Sequence, residues 1–527
     1  MEKQEIFCLI VGAGMCGVSL GQQLVRTGTL KHEEFCILDR NQDYGGVWEG
    51  NKYPGVACDI PSHAYVMRYM LNPNWTNTFA GGSEIQKYYC ALADRANLRK
   101  CTQFSTLVHE ATWNEKTFKW EVLTENTTTK QKKLWLATVL FNNGGNFHRP
   151  KLAQIPGRED FKGEQWHSSE WRTDYDLSSK NVAIIGTGPS AAQIGPKIQP
   201  IVKKLYLYQR TPGHVFPRGE VMIPAWKKFI FSWFYPILWL YHVSWAVSAA
   251  RSKDMWLSGT DKNKAMHKKA VAWLETQVSD PVLREKLRPK NEFGCKRPLF
   301  LNDWYPMFNQ ANVELVTEKP IRITEHGIVS KSPQLLDDED LKDQPVGAYE
   351  VRVGKEPAEE VTRDIDVLIW GTGFDMEDWG GRFSVNGINQ VNLSQQWGSY
   401  PEAYWAIAVH GYPNFFMTLG PNSGNYWANA TTVIQLQIDY HCKMVKHIKA
   451  QNQIAPYALH PTAEAQDKHN EILKKERGSP AFLSENCSTY HKSSTGATPM
   501  HNHFHIYHTW WKLRKITFND YDEIWQR

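Results

Sequence analysis

Two glycine-rich turns carry the clearest chemistry in this sequence. Gly12-Ala-Gly14-Met-Cys-Gly17 follows an uninterrupted apolar run, Ile6 to Val11, and precedes a helical pattern through Leu20 and Leu24. Such a run suits a strand buried on both faces. Glycines at these spacings allow a tight strand-to-helix turn and close backbone approach, so a pyrophosphate can sit at the helix N-terminus. Asp39 closes the next strand, Phe35 to Leu38, where an acid accepts hydrogen bonds from ribose hydroxyls. A nucleotide without a 2′-phosphate, NAD or FAD, is expected there. The second turn, Gly186-Thr187-Gly188-Pro-Ser190-Ala191, follows the strand Val182 to Ile185. Its next strand, Leu205 to Gln209, ends in Arg210-Thr211 and not in an acid. A cation at that position accommodates a 2′-phosphate, which points to NADPH. Two nucleotide sites of opposite 2′ preference imply electron transfer between cofactors, with FAD at the first and NADPH at the second.

Holding these groups takes two βαβ units. The expected fold class is α/β, with two Rossmann-like dinucleotide-binding domains. Residues 1–147 with 375–527 are expected to form a discontinuous FAD-binding domain, and 148–374 the NADP-binding domain. Residues 85–98 read as a helix and 104–140 as short alternating strands, two of them joined by a polar turn from Thr124 to Lys133. The segment 220–292 is helical in pattern, so a helical insertion is expected at about 218–291. Within it, Phe229 to Ala250 has no formal charge and is long enough to span a bilayer. Pro236 interrupts the run, and Ser232, His242, Ser244 and Ser248 dilute it. A buried or membrane-surface helix pair is expected in place of a span. Trp226, Trp233, Trp239 and Trp245 keep peripheral membrane contact open through residues 226–250.

Composition narrows the classes further. The 527 residues are 42% hydrophobic and 22% charged, which excludes a largely disordered chain. A net charge of +5 over this length is no footprint for nucleic acid. The nine cysteines are scattered and contain no CxxC. That is neither a disulfide framework nor a zinc ribbon and suits a reducing compartment. No signal peptide is read at the N-terminus, so a cytoplasmic location is expected, with membrane association left open. His501, His503, His505 and His508 form an HxHxH-x-x-H pattern. On a strand the first three would share a face, but no cysteine or carboxylate is spaced to complete a site, and no metal is expected.

Between the two turns lies Phe161-Lys-Gly163-Glu-Gln-Trp-His167-Ser-Ser-Glu-Trp171. It matches FxGxxxHxxxW, and on it the chain resembles the Baeyer–Villiger monooxygenases. Arg172 stands where that family usually has Pro or Asp. Gly45-Gly46-Val-Trp48 resembles the family's GGxW, Tyr53-Pro-Gly55 through Asp59 its YPGxxxD, and Gln209-Arg210-Thr211-Pro212 its QRTP. Gly294-Cys-Lys296-Arg297-Pro resembles the segment holding a catalytic arginine, and Gly371-Thr-Gly-Phe-Asp375 resembles ATGFD.

The resemblance implies that NADPH reduces FAD and that reduced flavin and O2 give a flavin peroxide. The peroxide then attacks a small-molecule ketone to yield an ester or lactone. It gives Arg297 the stabilisation of negative charge on peroxide and adduct, which an always-charged guanidinium can do without losing a proton. Asp59 would orient Arg297. Lys296 would join Arg210 and Thr211 at the 2′-phosphate, and Gly46, Trp48 and Tyr65 would join Asp59 among the cofactor-binding residues. His167 and Trp171 read as linker residues coupling domain motion to cofactor position. A monomer or weak oligomer is expected. The nearest alternative is a flavin-containing monooxygenase oxidising nitrogen or sulfur; Trp171 and Arg297 argue against it. A pyridine nucleotide–disulfide reductase would need a redox CxxC or CxxxxC pair, which the sequence lacks.

Overall fold

The computed structural model describes residues 1–147, 149–331, 360–375, 383–476 and 478–484, residues 487, 489, 492 and 498, and residues 500–526. The expected domain junction at residue 148 lies outside the described residues.

The first sheet grows from β1 (Glu2–Val11), whose last four residues are buried on both faces. It pairs in parallel with β2 (Phe35–Leu38), and α1 (Met15–Arg26) connects the two. Val18, Leu20 and Leu24 on α1 are buried, as is Ile85 on α2 (Gly82–Arg95). On the other side of β1 the chain returns as an antiparallel meander of β3 (Thr106–Asn114), β4 (Lys119–Asn126) and β5 (Lys132–Asn142). Along β4, Trp120, Val122 and Thr124 alternate inward, the period-two pattern of a sheet with one buried face. Phe415–Met417 adds to β5 in parallel, so the late chain re-enters the first sheet.

The second sheet is built from β6 (Glu164–His167), β7 (Asn181–Ile185), β8 (Lys204–Tyr208), β9 (Val313–Val316) and β10 (Val367–Trp370). Its spatial order is β9-β8-β7-β10-β6, parallel throughout. Helix α3 (Pro189–Ile198) links β7 to β8 and starts with proline at its first position, where the missing N–H costs nothing. The expected α/β class with two Rossmann-like units is the fold observed.

The helical insertion contains α4 (Ala225–Trp233), α5 (Tyr235–Ala250) and α6 (Asp261–Gln277). The helix pair expected over the uncharged run is present; Phe231 and Leu238 pack into the core, but much of its remaining apolar surface is exposed. Trp226, Trp233 and Leu240 are 65%, 73% and 60% exposed. His242 is buried too, with Nδ1 2.8 Å from the His63 carbonyl. No helix of the described residues is long and apolar enough to cross a membrane.

The cysteines are not all free: Cys295 and Cys487 form a disulfide across 192 residues of sequence, a distance at which spacing carries no signal. The other seven are free thiols. The histidine cluster does not form one face of a strand. His501 stacks on the Tyr426 and Phe482 rings at 4.5 and 4.4 Å, while His505 caps the helix Ile506–Leu513, which contains His508.

Candidate active site

A cavity of about 1720 Å³ runs between the two sheets, beyond the C-terminal ends of their parallel strands. Every site residue expected from sequence lines it except Gly17. Gly17 lies beneath the first turn, where a Cβ would come to 1.8 Å of the Gly12 carbonyl oxygen.

Both turns need glycine at their first position. Gly12 has φ +106° and Gly186 φ +109°, a region that side chains avoid. At the end of β2, Asp39 accepts from the Ala13 backbone N–H at 2.6 Å and from the Asn41 N–H at 2.8 Å. Its carboxylate is thereby held beside the first turn. At the corresponding end of β8, Arg210 is exposed and Thr211 buried. Lys296 Nζ reaches Thr211, with the carbonyl oxygen 3.0 Å away and the hydroxyl also in contact. Burial, and then the neighbouring Arg210 guanidinium, pull the Lys296 pKa down to about 8. Two cations converge here, an arrangement that an anion would stabilise.

Between the turns, Arg297 grips Asp59. Its Nε donates to Oδ2 at 2.8 Å and its Nη2 to Oδ1 at 2.7 Å, a bidentate charge-assisted pair. Arg297 also lines the cavity, with its side chain 41% exposed. Trp48 stands edge-on to Tyr65 with ring centres 5.8 Å apart, and its Nε1 donates to the Tyr65 hydroxyl at 3.3 Å. Burial raises the Tyr65 pKa well above its usual value, so the hydroxyl stays protonated at neutral pH.

Several residues that sequence reasoning missed complete the site. Gln193 on α3 accepts from the Tyr53 hydroxyl at 3.1 Å and donates to the Ala57 carbonyl at 2.9 Å. Arg218 donates to the Cys58 carbonyl at 2.9 Å. Together they clamp the loop bearing Asp59 between the two units. Asn143 Nδ2 and Thr418 Oγ1 are buried without a hydrogen-bond partner among the described residues, and both residues line the cavity. Each directly follows a parallel strand, β5 or Phe415–Met417. The rule that ligands bind beyond the carboxyl ends of parallel strands could have found them. His167 and Trp171 flank a lining segment, Ser168 to Glu170, without lining the cavity themselves. His167 is buried edge-on to Phe374 at 5.3 Å, and Trp171 meets Trp166 at 5.7 Å.

Residues 7–238 match the family described as FMO-like, flavin-binding monooxygenase-like. Among curated proteins, the chain is 36% identical to the FAD-binding monooxygenase BOA2 of Botryotinia fuckeliana, over 98% of this chain and 94% of that one. It is 30% identical to a Baeyer–Villiger monooxygenase of Pseudomonas aeruginosa, over 92% and 84%. Among solved structures, closed cyclohexanone monooxygenase superposes with a TM-score of 0.82 at 21% identity, over 99% of this chain and 100% of that one. With the Botryotinia relative at 36% identity over nearly the whole chain, the two dinucleotide units facing one cavity fall in the class of the FAD-binding monooxygenases. Within it, the chain belongs to the Baeyer–Villiger monooxygenase family.

Proposed function

We propose that this chain is an FAD-dependent, NADPH-consuming enzyme that inserts one oxygen atom of O2 beside a ketone carbonyl, giving an ester or lactone. The observation that carries the reading is Arg297, held bidentate by Asp59 in the lining of the cavity. A carbonyl under attack by an anionic oxidant needs a permanent positive charge at that spot. The first unit fits FAD: a carboxylate is fixed at the ribose position, and Asn143 and Thr418 offer buried polar atoms in want of a partner. The second fits NADPH through Arg210, Thr211 and Lys296. Bound FAD would pass two electrons from NADPH to dioxygen and supply the oxygenating group. Asp59 keeps Arg297 aimed, and Gln193 and Arg218 keep the Asp59 loop in place.

The test is product identity under ¹⁸O2 with NADPH and a panel of ketones and thioethers. One labelled oxygen in an ester or lactone is expected. Sulfoxides alone would instead favour heteroatom oxidation.

A second site of contact is read from the insertion. The exposed apolar surface of α4 and α5, with Lys227 and Lys228 beside it, suits the interface of an anionic bilayer. Co-sedimentation with anionic phospholipid vesicles is expected, and Trp233→Ser with Leu240→Ser should abolish it. No binding by the parent protein would remove this reading.

A further inference from the structure

The stretch carrying Lys296 and Arg297 lies between the helix Pro281–Leu287 and the two-residue strand Leu299–Phe300, outside any helix or strand. Its leading end is fastened twice. Asn263, buried near the start of α6, donates through Nδ2 to the Phe293 carbonyl at 2.7 Å and to the Met255 carbonyl at 2.9 Å. Cys295 is bonded to Cys487, and both are buried in an apolar cluster with Phe482, Tyr426 and Leu483. Cys487 belongs to the C-terminal part of the chain, yet it lines the same cavity as Lys296 and Arg297. The disulfide thus joins two distant segments one residue before the cation that faces Thr211.

We propose that the Cys295–Cys487 disulfide is a thiol-reversible strap that positions Lys296 and Arg297, so that NADPH recognition and the coupling of NADPH use to oxygen insertion depend on its redox state. The coupling readout rests on the proposed oxygenation; the NADPH readout does not. Cleavage needs a small thiol reductant. A reductant thiolate attacks one sulfur, the S–S bond breaks, and a mixed disulfide forms. The second thiol of a dithiol then displaces the protein sulfur. The protein gains two electrons and two protons, and the dithiol leaves as a cyclic disulfide. Glutathione disulfide reverses the exchange. The cavity face of Cys487 is the route of entry, so bound NADP⁺ should slow reduction. Both cysteines act through the stretch they hold.

The experiment uses the full-length holoenzyme, treated with dithiothreitol and desalted under nitrogen, beside an untreated sample. Non-reducing peptide mapping should find the Cys295 and Cys487 peptides linked only in the untreated protein. Reduction should raise KM for NADPH about tenfold, as slight misplacement of a binding group does, with little change in maximal NADPH oxidation. Ester formed per NADPH should fall, and glutathione disulfide should restore both values. Cys487→Ser should imitate the reduced state and no longer respond to dithiothreitol. Equal KM and coupling in both redox states would overturn the proposal, as would two free thiols in protein equilibrated with glutathione disulfide. A redox-dependent KM without ester in either state would keep the strap and discard the oxygenation.

Discussion

Gly12 and Gly186 occupy the same place in the two strand–turn–helix units. A Cβ on either would come to 2.4 Å of a carbonyl oxygen, that of Asn143 or of Gly371. The units differ away from that point. The first packs its helix so closely that Gly17 admits no side chain, whereas the second carries Ala191 at the matching position. The first ends its second strand in Asp39, tied to the turn by the Ala13 backbone donor, and the second ends in Arg210 and Thr211 with Lys296 brought over from the insertion's far end. Backbone geometry at the turn is what the two share, and it makes room for a pyrophosphate. The side chain one strand later decides which ribose is accepted. The first unit closes its selectivity 27 positions beyond its glycine turn, counted from Gly12 to Asp39; the second needs a residue 110 positions beyond, counted from Gly186 to Lys296.

The sharpest break of this comparison is a glycine substitution. Gly12→Ala should give protein that never turns yellow, because a side chain at φ +106° against the Asn143 carbonyl destroys the flavin turn. Gly186→Ala should remain yellow and fail to be reduced by NADPH. Flavin absorbance of the two purified variants reads both outcomes, and equal flavin content in the two would dissolve the distinction between the units.

Arg297→Ala comes next. It should keep flavin and NADPH oxidation but lose ester formation by roughly 10²–10³-fold, the usual effect of removing one charge-stabilising donor. Product analysis against NADPH consumption separates the two activities. Unchanged ester formation would remove Arg297 from the chemistry.

Arg210→Ala should act on the second unit alone. A charged hydrogen bond is worth about 1.5–3 kcal/mol, so KM for NADPH should rise about tenfold or more while KM for NADH stays put. The ratio of the two constants is the measurement.

The smallest effect is in pH. Lys296 is charged below its pKa of about 8 and neutral above it. The 2′-phosphate prefers the charged form, so KM for NADPH should climb severalfold as pH passes upward through 8. Lys296→Arg, which cannot lose its proton in that range, should flatten the climb. A slope of the same size in that variant would assign the titration elsewhere.

Much of this was visible before the structure because the constraint at each turn is a backbone one. Gly12 and Gly186 sit where only glycine is tolerated, and the strand before each is apolar throughout, so residue type and order carry the information. The Arg297–Asp59 pair spans 238 residues, and nothing in composition or periodicity connects them; only the resemblance of short segments did. Gln193 and Arg218 had no such signal, since a polar side chain gives no hint of which distant carbonyl it meets. The Cys295–Cys487 bond was hidden for the same reason. The run from Phe229 to Ala250 was read as buried or membrane-facing because it is apolar on all sides. Hydropathy alone cannot tell a face packed on protein from one left uncovered, and here Trp233 and Leu240 are left uncovered.

The central claim is that the first unit holds the flavin and the second delivers electrons from a 2′-phosphorylated nucleotide. The direct measurement is anaerobic stopped-flow reduction of the yellow enzyme by NADPH and, separately, by NADH. The account predicts full bleaching of the flavin by NADPH, at concentrations at least about tenfold below those needed with NADH. Equal bleaching by both nucleotides, or none by NADPH, would contradict it.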